Sequence, residues 1–166
     1  MNDDKIARIA DAVVRGIKSD SSPNIAKSSA FGLKQARRLI ELVESRAKEM
    51  DINVVVAVAD SGANPIAVEC MDNAYIASYD IALNKAYTVV ALKMSTKKLS
   101  GLAKPEGSLY GIQSTNGGRI VIFGGGDPLV YNGTIVGGLG VSGGSEEQDT
   151  ALSAYGASCI DEIMRG

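Results

Sequence analysis

The segment from Gly117 to Thr150, GGRIVIFGGGDPLVYNGTIVGGLGVSGGSEEQDT, carries more than half of the chain's 19 glycines, set between short runs of β-branched residues. Each glycine costs backbone entropy and packs no side chain, so a sheet keeps it where φ must be positive or where something approaches the backbone closely. Ile120–Phe123 reads as a strand and Gly124-Gly125-Gly126-Asp127-Pro128 as a turn. Leu129–Tyr131 reads as the next strand, Asn132-Gly133 as a type I′ hairpin turn, and Thr134–Val136 as the returning strand. Three explanations of the glycines stand together: tight architecture, a flat ligand lying on the backbone, or a neighbouring subunit.

Within this segment Gly138-Leu139-Gly140-Val141-Ser142-Gly143 matches the dinucleotide fingerprint G-x-G-x-x-G. That fingerprint needs a βαβ unit and an acidic residue beyond the next strand. Here one helix follows, opening Ser145-Glu146-Glu147-Gln148. Ser145 and Gln148 form a capping box. Two carboxylates in the first turn take the place that an anion would occupy at the helix N-terminus. The pattern therefore argues against a pyrophosphate site.

The 166 residues fit one domain with a short appendage. At 45% hydrophobic and 22% charged the chain can bury a sizeable core, and its net charge of −2 argues against nucleic acid or an anionic membrane as main partner. No apolar run is long enough to span a bilayer, and no signal peptide is apparent. Cys70 and Cys159 lack metal-ligand spacing, so a soluble, cytoplasmic protein with free thiols is expected. The sequence contains no histidine. That removes Ser-His-Asp triads, histidine metal sites and imidazole bases, and leaves any catalysis to Asp, Glu, Lys, Tyr or Cys.

Residues 1–24 read as an amphipathic helix and linker. Ile6, Ile9, Ala10, Val13, Val14 and Ile17 form a helical stripe, followed by Ser19–Asn24. A short stripe of this kind must dock on its own domain, another subunit or a partner. Residues 25–166 read as the domain proper. Ser28 or Ser29 caps a helix running to about Met50, and Ile52–Ala59 is a central strand. Asp60–Pro65 turns into a returning strand, Ile66–Cys70. A long helix over about Tyr75–Lys93 is rich in small residues, a short one spans Thr96–Leu102, and the last runs from Glu146 to about Met164. The order predicts an α+β fold: one mainly antiparallel sheet of five strands with helices packed on it.

Four stretches carry a likeness to a known family: Asn84–Lys93, Ser108–Gly111, Phe123–Gly126 and Gly137–Asp149. They resemble the GlcG/HbpS-like family, in particular the C-terminal domain of PduO-type proteins and free-standing relatives from diol and glycerol utilisation operons. The likeness covers about residues 28–165. It implies a profilin-like fold with a five-stranded sheet, homo-oligomers that are often octamers, and haem or another tetrapyrrole as a candidate ligand near cobalamin chemistry. Relatives that bind haem are expected to use histidine, and in PduO-like relatives one lies near the position of Lys97. This chain has none, which leaves Met, Tyr or Cys as iron ligands, and Cys70, Met71, Met94 and Tyr110 lie near the family's motifs. Residues 1–18 resemble the peptides that dock cargo to microcompartment shells. That implies a microcompartment lumen location, against packing on the same oligomer.

The candidate ligand-binding residues are Lys85, Met94, Lys97, Tyr110, Gly124, Gly125 and Gly126, with no dedicated metal site. An enzyme acting on a small metabolite would instead draw on Lys85 with Asp60, Asp80, Glu147 or Asp149. A third possibility is an assembly protein whose only chemistry is oligomerisation.

Overall fold

The computed structural model describes residues 31–166. The expected N-terminal helix, its linker, the Ser28/Ser29 cap and the division at residue 24 lie outside the described residues. The first described helix, α1 (Leu33–Glu49), starts at Gly32, whose N–H donates to the Gln35 side chain at 3.3 Å. Ala36, Leu39, Ile40, Val43 and Ala47 form its buried face, as their helical spacing requires.

Strand β1 (Val55–Asp60) and strand β2 (Pro65–Cys70) form a hairpin whose loop is tied by Asp60. One Asp60 carboxylate oxygen accepts from Gly62 N–H at 2.8 Å and Asn64 N–H at 2.9 Å. Helix α2 (Ser78–Leu92) follows and ends on Lys93 in the left-handed conformation; helix α3 (Thr96–Ala103) is capped by Ser95. Two 3₁₀ turns (Ile112–Ser114 and Asn116–Gly118) lead to strands β3 (Gly126–Tyr131) and β4 (Thr134–Ser142). Helices α4 (Glu146–Ser158) and α5 (Ile160–Arg165) complete the order. The expected single last helix is thus two, hinged at Cys159, which remains in αR geometry.

The described residues form a four-stranded antiparallel sheet, ordered β2-β1-β4-β3. The fifth strand expected at Ile120–Phe123 does not form. Its backbone is held by a side chain instead of a ladder: Val121 N–H donates to Thr88 Oγ1 on α2 at 3.0 Å. The Asn132-Gly133 turn does form, with both residues at positive φ (48° and 75°) as a type I′ turn requires.

From Val54, just before β1, to Ala59 the chain is an unbroken apolar run because both faces are buried. Val54, Val56 and Val58 join the larger core with α1 residues, Leu152 of α4 and Ile163 of α5. Val55, Ala57 and Ala59 face Ala82 and Ala86 of α2. On the neighbouring strand the same face is glycine. A Cβ on Gly140 would fall on the carbonyl oxygen of Ala82, and one on Gly138 would lie 2.5 Å from that of Ala86. Two of the three glycines of the apparent dinucleotide fingerprint therefore let α2 rest directly on the sheet, and the third, Gly143, lies against Asn53 and Val54.

Candidate functional site

Lys85 lies on the sheet-facing side of α2, and the close seat of that helix leaves it with no exposed surface. A charge taken out of water must find partners. The Lys85 ammonium donates to Asp149 Oδ2 at 2.9 Å and to the Val141 carbonyl at 2.7 Å, and lies 4.9 Å from the Phe123 ring centroid. The other Asp149 oxygen accepts from Gly144 N–H at 2.9 Å. Burial pushes the Lys85 pKa down, against the pull of Asp149. Burial pushes Asp149 up, against Lys85 and the backbone donors of Gly144 and Gly143. The pair ties α2, the end of β4 and the start of α4 to one point.

The triple glycine runs across this pair. Gly125 has φ +110°, and a Cβ there would stand 2.5 Å from Lys85 Nζ and 2.7 Å from Asp149 Cβ. Gly126 N–H donates to Thr96 Oγ1 at 2.9 Å, joining the crossing to α3. Gly124 N–H donates to Glu146 Oε1 at 3.1 Å, and the same oxygen receives Lys97 Nζ at 3.0 Å. Glu146 is held below the usual carboxylate range, first by Lys97 and then by Gly124.

Beside these groups opens a cleft of about 290 Å³. Phe123, Tyr75 and Ile81 supply its apolar wall; Gly143, Gly144, Glu146 and Asp149 supply backbone and carboxylate. Its lip is unusually apolar for a free surface: Tyr75 is 73% exposed, the adjoining Ile76 97% and Phe123 39%. A larger groove of about 720 Å³ runs along α1 and α5, lined by residues such as Leu33, Arg37 and Ile163. It gathers none of the expected site residues.

None of the ligand-binding candidates lines the cleft itself; Lys85 and Gly125 meet Asp149, and Lys97 and Gly124 meet Glu146, which do line it, while Gly126 N–H is taken by Thr96. Met94 lies in the α2–α3 connection and Tyr110 in the turns after α3, 68% exposed, and neither lines the cleft. Met71 packs against the larger core, with its sulfur receiving Val54 N–H, while Cys70 is exposed. Of the acids considered as catalytic partners for Lys85, Asp149 alone meets it. Asp60 ties its hairpin, and Asp80 and Glu147 are exposed. Sequence reasoning missed Phe123, Tyr75 and Glu146 as cleft residues. Its position in the first turn marks Glu146 only as a helix-dipole partner, with the cap formed by Ser145 and Gln148.

A family model described as "Haem degrading protein HbpS-like" matches residues 31–158. The chain belongs to the HbpS-like family. This family member is 44% identical over 131 residues to an uncharacterised 15.0 kDa protein of the dhaT-dhaS intergenic region of Citrobacter freundii, covering 79% of this chain and 92% of that one. It is 32% identical over 156 residues to the corrinoid adenosyltransferase PduO of the same organism, covering 94% of this chain and 46% of PduO. The chain thus spans less than half the length of that enzyme. Among solved structures, the Klebsiella pneumoniae protein ORFY superposes with a TM-score of 0.77 at 39% identity, covering 84% of this chain and 97% of ORFY. A complex of PduOC with haem superposes with a TM-score of 0.75 at 35% identity, covering 79% of this chain and 95% of PduOC. These structures share the α+β fold described above.

Proposed function

We propose that this protein is an accessory small-ligand-binding protein, with haem or a related tetrapyrrole as its ligand class, working as a homo-oligomer in diol, glycerol or cobalamin-linked metabolism. The observation that carries the reading is the cleft. An exposed aromatic and aliphatic lip (Tyr75, Ile76, Phe123) stands beside a bare glycine backbone, which suits the face of a flat ring. The relative whose structure contains haem, and the relatives named for corrinoid chemistry and for the dhaT-dhaS region, support the same reading.

The residues present fit the organic ring better than the iron. The chain has no histidine, and the buried cleft carboxylate, Asp149, is engaged by Lys85 and Gly144; an iron ligand from the cleft lining would have to be the Tyr75 phenol or Glu146. Haem, when bound, supplies a redox-active iron; this chain supplies Phe123 and Tyr75 to contact the ring and the Lys85–Asp149 pair to keep the glycine crossing in place. Binding through ring contacts makes metal-free protoporphyrin IX a ligand comparable to haem.

Titration of the full chain with haem, followed by the Soret band, and with protoporphyrin IX, followed by fluorescence, tests this. Both should bind at a stoichiometric site, and Phe123→Ala should weaken both. Failure of either to bind at micromolar concentration, or a Phe123→Ala affinity equal to that of the parent, would refute it.

A further inference from the structure

We propose that Gly124 N–H and Lys97 form a carboxylate-binding subsite at the edge of the cleft, and that the side chain of Glu146 fills it as a stand-in for a carboxylate of the ligand. The proposal rests on the reading of the cleft as a ring site. It begins from convergence. Two donors from separate elements, a loop N–H and an α3 ammonium, meet one oxygen, Glu146 Oε1, at 3.1 and 3.0 Å. A carboxylate held by one backbone donor and one cation is a common way for proteins to bind an organic acid.

Glu146 is not needed there by its own helix. The cap of α4 is complete without its side chain: Gln148 N–H donates to Ser145 Oγ at 3.3 Å, and Ser145 N–H donates to Gln148 Oε1 at 2.9 Å. The contrast with Asp149 is sharp. Asp149 is buried and joined to Lys85, so its departure would strand an ammonium without exposed surface. Glu146 and Lys97 have side chains 34% and 55% exposed. Parting the exposed Lys97–Glu146 pair costs little, because water takes over both charges; the N–H of Gly124, a buried residue, regains a partner only when another acceptor takes the place. The cleft therefore holds one fixed carboxylate and one exchangeable carboxylate.

Position completes the argument. Glu146 lines the cleft, and Gly124 directly follows Phe123, which forms the apolar wall. A flat apolar molecule lying against Phe123 and carrying a carboxylate on a short flexible arm could place that group on Gly124 and Lys97 once Glu146 turns outward. The exchange swaps one anion for another, so Lys97 keeps a counter-ion throughout. The ligand class is accordingly a flat apolar ring with at least one carboxylate arm. The same arrangement lets Glu146 discriminate: an uncharged ring cannot replace it on Lys97.

The test compares protoporphyrin IX with its dimethyl ester, both titrated by fluorescence into the full chain. Glu146→Ala should tighten binding of the acid by about fivefold, the scale of one exposed ion pair, and leave the ester unchanged. Adding Lys97→Ala to that variant should remove the gain. Glu146→Gln preserves shape and an acceptor for Gly124 while releasing Lys97, so it should show part of the gain even if the alanine variant folds poorly. An equal gain for acid and ester, no gain in either Glu146 variant, or a gain that survives Lys97→Ala would overturn the subsite while leaving the ring reading intact. Absence of binding of both probes to every variant would overturn the ring reading and the subsite with it.

Discussion

Replacing Asp149 by asparagine isolates the charge in the buried pair. The amide preserves the size of the side chain and an acceptor for Gly144 N–H, and removes the anion facing Lys85. What remains is an ammonium with no exposed surface, one carbonyl acceptor on Val141 and an aromatic ring nearby. Removing one partner of a buried pair typically costs about 3–5 kcal/mol. Lys85 can limit the loss by releasing its proton. For a lysine of ordinary pKa, about 10.4, neutralisation costs about 4.6 kcal/mol at pH 7 and about 1.9 kcal/mol at pH 9, at about 1.36 kcal/mol per unit. The expected destabilisation is therefore about 3–4.5 kcal/mol at pH 7, falling to about 2 kcal/mol or less at pH 9. The sign follows from proton counts. Burial already lowers the Lys85 pKa, and Asp149 is the chief opposing influence; without it the folded value drops further below the unfolded one. Between the two values the unfolded chain holds more protons, so stability of the variant rises with pH. Urea unfolding followed by circular dichroism at both pH values and one protein concentration measures it. A loss under about 1 kcal/mol at pH 7, or an equal loss at both pH values, would refute the assignment of Lys85 as a buried ammonium dependent on Asp149.

Gly140→Ala should cost more than the roughly 1–3 kcal/mol of ordinary overpacking, because its Cβ meets the backbone of Ala82; urea unfolding reads this, and a neutral result would mean that α2 can move off the sheet. The protein should also scatter light as an assembly well above 17.2 kDa at micromolar concentration, since Leu33, Tyr79, Val130 and Tyr155, away from the cleft lining, are also exposed apolar surface for subunit contacts; a monomeric mass would contradict the homo-oligomer. We propose that residues 1–18 dock to a microcompartment shell. A fluorescent protein bearing residues 1–20 should then concentrate in co-expressed shells, and charged residues at Ile9 and Val13 should disperse it; a diffuse parent fusion would assign the stripe to another partner.

What could be read from the sequence was what local rules govern. The nearly continuous apolar run Ile52–Ala59 marks the central strand because both faces are buried, although the strand itself spans Val55–Asp60; the Asn132-Gly133 turn is legible because only certain residues accept its positive φ, and the Ser145–Gln148 box because its partners lie three residues apart. Ile120–Phe123 has the composition of a strand, yet its backbone partner is a threonine hydroxyl on a helix, and no periodicity encodes that. The break at Cys159 carries no glycine or proline to announce it. At the site, Lys85 stood out as a charge within a helix of small apolar residues, and the glycine triplet marked a close crossing. Their meeting with Asp149 joins positions far apart in the chain, which pattern alone leaves open. The sequence pattern places Tyr75 at the start of a helix, but the helix begins at Ser78, and Tyr75 becomes the lip of the cleft.

The strand order has a consequence for how the molecule is made. β1 pairs on one side with β2, its immediate successor, and on the other with β4, where Val55 meets Ser142. On a ribosome the first hairpin can close early, while the inner edge of β1 waits for more than half of the domain to be synthesised. Throughout that interval a valine-rich edge is open and its core-facing side lacks Leu139, Val141 and Leu152. Long-range pairing of this kind is slow and exposed to aggregation. Helix α2, emerging soon after β2 and already in contact with Val55, Ala57 and Ala59 through Ala82 and Ala86, is the element in position to shield the nascent hairpin until its second half arrives.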